Sequence, residues 1–160
     1  MGRSVSFDAL SYKPVAAGVS QAPITGGDTH KMSAQLLRID PGAKLEASVP
    51  EGSDGYLFML TGAGRIAVDG AEKAIERESF ASVAEKRRFS LANSSDQPAE
   101  IIYVLAPPPG SQREHEGLAE PLQVISRQRA HHLHRRSEEE PPLFRFEGSV
   151  QVRARSRHDR

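Results

Sequence analysis

Imidazole is the side chain best suited to metal or proton chemistry in this sequence, which has six histidines and no cysteine. The missing thiols exclude a disulfide, a thiolate metal site and a cysteine nucleophile. His131, His132 and His134 crowd into one polar stretch where a metal site could be placed. Their neighbours Arg129, Arg135 and Arg136 oppose a cation, so the cluster reads as a solvated basic face. His30, Tyr56 and Tyr103 are the parts available for metal-free proton transfer, a role that requires them to converge in space. Arg145, Arg153, Arg155 and Arg157 could touch phosphate. No nucleic-acid motif accompanies them, and with no tryptophan and few aromatics there is little to stack on bases.

The elements that must position these groups are short and extended. A chain of 160 residues is about one domain with room for appended arms. Its formal net charge is zero, so no whole-molecule field draws it to nucleic acid or to anionic membrane. No apolar run approaches the roughly 20 residues of a membrane helix, and the first residues lack the apolar core of a signal peptide. The expectation is a cytoplasmic protein with neither membrane nor nucleic acid as partner.

Residues 1–31 mix short apolar pieces with Pro14, Pro23 and the turn signal Gly26-Gly27-Asp28, and read as an arm with one or two short strands. A strand over 32–39 stops at Asp40-Pro41-Gly42, and a polar loop leads to the apolar run Tyr56-Leu57-Phe58-Met59-Leu60. Residues 65–68 alternate into Asp69-Gly70, a dipeptide suited to a tight hairpin. Further strands are expected at 72–75, 79–83, 89–92 and 99–105, the last ending at Pro107-Pro108-Pro109, where a ladder cannot continue. Short strands at regular spacing mean a sandwich or barrel. Beyond the prolines, 122–125 reads as one more strand, 126–140 as a polar stretch able to form a helix, and 144–155 as a hairpin with one basic face.

The stretch from Asp40 to Gly64 resembles the first motif of the cupin family. There a Pro-Gly turn leads to two histidines flanking one residue, then a glutamate, then a strand ending in glycine. Pro41, Gly42, Gly62 and Gly64 match that framework, while Ser48, Pro50 and Gly55 stand at the ligand places. The run from Glu78 to Asn93 fits the second motif, with Ala84 at the proline place, Phe89 at the histidine place and Asn93 retained.

The resemblance implies an all-β jelly roll, a cupin-like double-stranded β-barrel, with an N-terminal arm at 1–31, the barrel at 32–109 and a C-terminal extension at 110–160. Family members normally hold iron, manganese, nickel or zinc on three histidines and a glutamate. Here Ser48, Pro50, Gly55 and Phe89 offer no comparable ligand set, so no metal and no other cofactor is expected at that site. Side chains two apart on a strand share a face, which puts Leu57 and Met59 toward the interior with Phe89 and Leu91. They would either fill the barrel or line a pocket for a small apolar or amphipathic ligand, with Ser48 and Tyr103 as polar points.

The function implied is a metal-free small-molecule binding or oligomerisation module, forming a homodimer through the barrel edge and the N-terminal arm. Two alternatives compete with it. One is a metal-independent isomerase or epimerase built on a histidine and a tyrosine, as in some cupins that resemble sugar epimerases. The other is the non-catalytic half of a two-barrel, metal-dependent oxygenase, the tail after Pro109 being the linker to a second barrel.

Overall fold

The computed structural model describes residues 4–26, 31–111 and 115–127. A single 3-10 turn, Phe7–Ala9, precedes eleven strands: β1 Lys13–Ala16, β2 Val19–Pro23, β3 Ser33–Ile39, β4 Lys44–Ser48, β5 Asp54–Thr61, β6 Ala63–Val68, β7 Ala71–Glu76, β8 Phe80–Val83, β9 Arg88–Asn93, β10 Ala99–Ala106 and β11 Leu122–Ile125. They form a seven-stranded sheet in the order β1-β2-β3-β10-β5-β8-β11 and a four-stranded sheet in the order β4-β9-β6-β7. Every pairing is antiparallel. The fold is the all-β jelly roll that the sequence implied. No helix among the described residues is long and apolar enough to cross a membrane.

Alternation writes the core. In β9, Phe89, Leu91 and Asn93 are buried between exposed or half-buried neighbours, and in β5 the buried set Gly55, Leu57 and Met59 is spaced the same way. Leu57, Met59, Ile66, Leu91 and Ile101 join one cluster between the sheets. Each stabilises the fold by roughly 2 kcal/mol through removal of its apolar surface from water.

Two turns are decided by backbone geometry. Asp69 and Gly70 both have positive φ, 51° and 81°, the hairpin conformation that an Asp-Gly pair adopts most easily. Gly64 is held by close approach: a β-carbon there would lie 2.1 Å from the Ala92 carbonyl oxygen across the β6–β9 pair, so the strands could not come together around any larger residue.

The structure departs from the sequence reading between the Pro-Gly turn and Tyr56. That stretch holds β4 rather than an uninterrupted loop. Leu45 and Val49 are buried and Ala47 packs against the core, an alternation disguised by Lys44, Glu46 and Ser48 on the outer face.

The large sheet also runs past residues 32 and 109. β1 and β2 pair into it beside β3, and β11 returns after the prolines to pair with β8. Pro107–Pro109 end one strand without ending the sheet, because a loop of about fifteen residues can carry the chain back at small entropic cost. All described strands lie in one compact unit, Met1–Ser126; of the second unit, Arg127–Arg160, only Arg127 is among the described residues. His30, His131, His132, His134, the terminal arginines and the expected hairpin at 144–155 lie outside the described residues.

Candidate functional site

The interior is assembled from β4, β5, β9 and β10. In β10, Ile101, Tyr103 and Leu105 turn toward the core, and Tyr103 sits directly across from Leu57. Phe89 meets Tyr103 edge to face, with ring centroids 5.7 Å apart and planes at 63°. A β-carbon on Gly55 would lie 2.8 Å from Val49 Cγ2 and 3.4 Å from Tyr103 Cε2. Val49 and the Tyr103 ring therefore occupy the volume a longer side chain at position 55 would need.

Of the six residues expected to line the interior, Leu57, Met59, Phe89, Leu91 and Tyr103 are brought together. Ser48 is not. It stands on the exposed face of β4 with Lys44 and Glu46, and Val49, one residue on, turns inward in its place. Leu57, Met59, Phe89 and Leu91 are each no more than 2% exposed, so their apolar side chains are packed against protein. Burial alone pushes the Tyr103 phenol up to about 12, since the phenolate would lose its hydration.

The inward set at the ligand places is thus Ala47, Val49, Gly55 and Phe89, and none of them carries an imidazole, carboxylate or thiolate. These residues do not fit a divalent transition metal. No group of three histidine, cysteine, aspartate or glutamate side chains among the described residues is placed to hold an ion.

Of the parts for proton transfer, His30 lies outside the described residues and the two tyrosines are not brought together. Tyr56 points away from Tyr103, to the outer face of the large sheet, where it stacks on Phe80 with ring centroids 5.8 Å apart.

A polar cluster that sequence reading did not single out lies at the start of β5. The His115 side chain, 9% exposed, places Nε2 2.8 Å from Asp54 Oδ2, and Asp54 is itself 4% exposed. Asp54 Oδ1 accepts the amide N–H of Glu85 at 3.2 Å and of Leu118 at 3.5 Å. The Glu85 carboxylate lies 3.7 Å from His115 Nδ1 and accepts the Gly52 N–H at 2.8 Å. Nε2 is engaged by Asp54 and Nδ1 faces the Glu85 carboxylate, so the ring ties its segment to the start of β5. Only Asp54 carried a signal in the sequence, as an acid directly before the inward Gly55; His115 sits in a segment with no pattern around it.

No family model matches the sequence, and no curated protein matches it. Solved structures do. KdgF from Halomonas sp. superposes with a TM-score of 0.59 at 14% identity, over 67% of this chain and 94% of its own. An RmlC-like cupin from Shewanella frigidimarina gives 0.57 at 13% identity, over 69% and 95%. TT1209 from Thermus thermophilus gives 0.56 at 24% identity, over 66% and 98%. The chain has the cupin fold. Cupins with this architecture include enzymes and non-enzymes, and identities this low carry the fold alone.

Among the framework positions of the second cupin motif, Asn93 is the polar residue kept here, and its work is structural. Its Nδ2 donates to the Ile39 carbonyl at 2.9 Å and to the Gln97 carbonyl at 2.7 Å, and its Oδ1 accepts from Ser95 N and Ser95 Oγ. A buried amide with its donors and acceptor engaged joins β3, β9 and the turn before β10.

Proposed function

We propose that this protein is a metal-free cupin-fold module whose role is self-association rather than catalysis inside the barrel. The carrying observation is the interior: Val49 and Tyr103 close on Gly55, and Phe89 packs edge to face on Tyr103, where the resemblance puts a metal and its ligands. A function then has to reside on the outer surface.

The outer face of the large sheet supports self-association. Strand register aligns Ala22, Leu36, Ile102, Phe58, Phe80 and Ile125 in one row across six strands. Ala22 and Leu36 are buried at one end, and exposure rises to 41% at Phe80 and 36% at Ile125 at the other. A contiguous apolar strip of this kind marks an interaction surface. Because the row holds no charge, a second copy can meet it without opposing like charges, as a two-fold interface requires.

The sheet face suits this role better than the sheet edge. β1 carries Lys13 and Pro14, residues that discourage strand addition. A cytoplasmic location belongs to the same proposal.

Light scattering on the purified protein at about 100 µM, with elemental analysis of the same sample, tests the reading. A dimer free of transition metal is expected, converted to monomer by Phe80→Glu with the fold retained. A monomeric wild type, or stoichiometric bound metal, overturns it.

A further inference from the structure

A groove of about 730 Å³ lies along the N-terminal end of the large sheet, lined by Leu10, Lys13, Val15, Gln21, Pro23 and Gln35 among others. Lys13 pairs with Gln21 and Pro23 with Gln35 across neighbouring strands, so the pairing gathers an ammonium, two amides and a proline on one face. The groove is separate from the row through Phe58 and Phe80, because Gln35 pairs with the inward Tyr103, whereas Leu36 and Ile102 belong to the opposite face. Its volume falls in the range of small-ligand sites, about 300–1,000 Å³.

Its chemistry is two-sided. Leu10, Pro14, Val15 and Pro23 give apolar walls, and Val15 is 50% exposed on a strand where a β-branched residue would normally be covered. Gln21 Nε2 donates to Gln35 Oε1 at 3.3 Å, which orients the pair and leaves the Gln35 amide hydrogens with no partner among the described residues. Lys13 has no ion pair among the described residues either. A single cation beside amide donors, at one side of an apolar trough, complements a small anion with a hydrocarbon tail.

We infer that this groove binds small amphipathic carboxylates, the carboxylate on Lys13 and the Gln21–Gln35 pair and the tail along Leu10, Pro14, Val15 and Pro23. The site goes beyond the self-association reading and does not depend on it: binding here leaves metal content and mass unchanged, and a monomeric protein would still carry the groove.

Titration of the full-length protein with octanoate and, separately, with octanol tests the site by calorimetry and backbone amide shifts. Saturable octanoate binding is expected, with octanol weaker by about fivefold, the scale of one partly exposed charge contact. Lys13→Gln should weaken octanoate by the same factor and leave octanol unchanged, with shifts confined to residues around Leu10, Val15, Gln21 and Gln35. The inference is overturned by absence of saturation, by equal affinity for octanoate and octanol, by a Lys13→Gln variant that binds as wild type, or by shifts centred on Phe58 and Phe80.

Discussion

His115 Nε2 lies 2.8 Å from Asp54 Oδ2, joining residues 61 positions apart and holding the segment that leads into β11 against the start of β5. Removing the imidazole leaves a nearly buried carboxylate short of a partner. His115→Ala is expected to lower stability by about 2 kcal/mol, read from the urea midpoint. Amide exchange should speed up most at Leu118 and through β11. The double variant with Asp54→Ala should cost less than the sum of the two single changes, since the partners share one contact. An unchanged midpoint for His115→Ala would mean that the contact does not form in solution.

Asn93 should be intolerant even of its closest relative. Asn93→Ala strands the Ile39 and Gln97 carbonyls and the Ser95 donors, at a cost of about 3 kcal/mol. Asn93→Asp keeps the acceptor but replaces two donations with carboxylate oxygen facing carbonyl oxygen, so it should destabilise at least as much. A thermal melt in which the aspartate variant matches wild type would remove the amide from its structural role.

Grafting a metal site discriminates between two registers. Histidines at Ala47, Val49 and Phe89 with glutamate at Gly55 place all four donors inward, and Val49→His removes the methyl that a side chain at position 55 would strike. That variant is expected to gain zinc affinity by calorimetry. The variant carrying histidines at Ser48, Pro50 and Phe89 should not, because Ser48 is on the exposed face. Gly55→Glu alone should destabilise by about 1–3 kcal/mol through overpacking against Val49 and Tyr103.

Tyr103 gives the fold an alkaline limit. Its phenol is raised to about 12 from an ordinary value of 10.0, so between these values the unfolded chain ionises while the folded one does not. The contribution is complete below pH 10 and is lost as pH rises toward 12. Urea midpoints measured from pH 9 to 11.5 should fall more steeply for wild type than for Tyr103→Phe. Tyr12 and Tyr56 are raised as well, also chiefly by burial, and both persist in the variant, so the difference isolates Tyr103. Parallel slopes would mean that Tyr103 is solvated.

The jelly roll was legible because its signals are local. Two-residue alternation marks β5, β6, β9 and β10, and the Asp69-Gly70 dipeptide needs no tertiary partner to favour its turn. The same locality put apolar residues in the barrel interior at Leu57, Met59, Phe89 and Leu91. Inwardness on β4 was not legible, because a strand with charges on its outer face reads as a loop, and a shift of one residue exchanges Ser48 for Val49.

The remaining features belong to the tertiary structure, because they join residues far apart in the chain. The pairing of β11 with β8, the contact of His115 with Asp54, and the apolar row from Ala22 to Ile125 all depend on where a loop brings the chain back. Periodicity records which face a side chain takes within its own strand. It carries nothing about which strand lies alongside, and at this site the neighbours decide whether the interior is a pocket or a packed core.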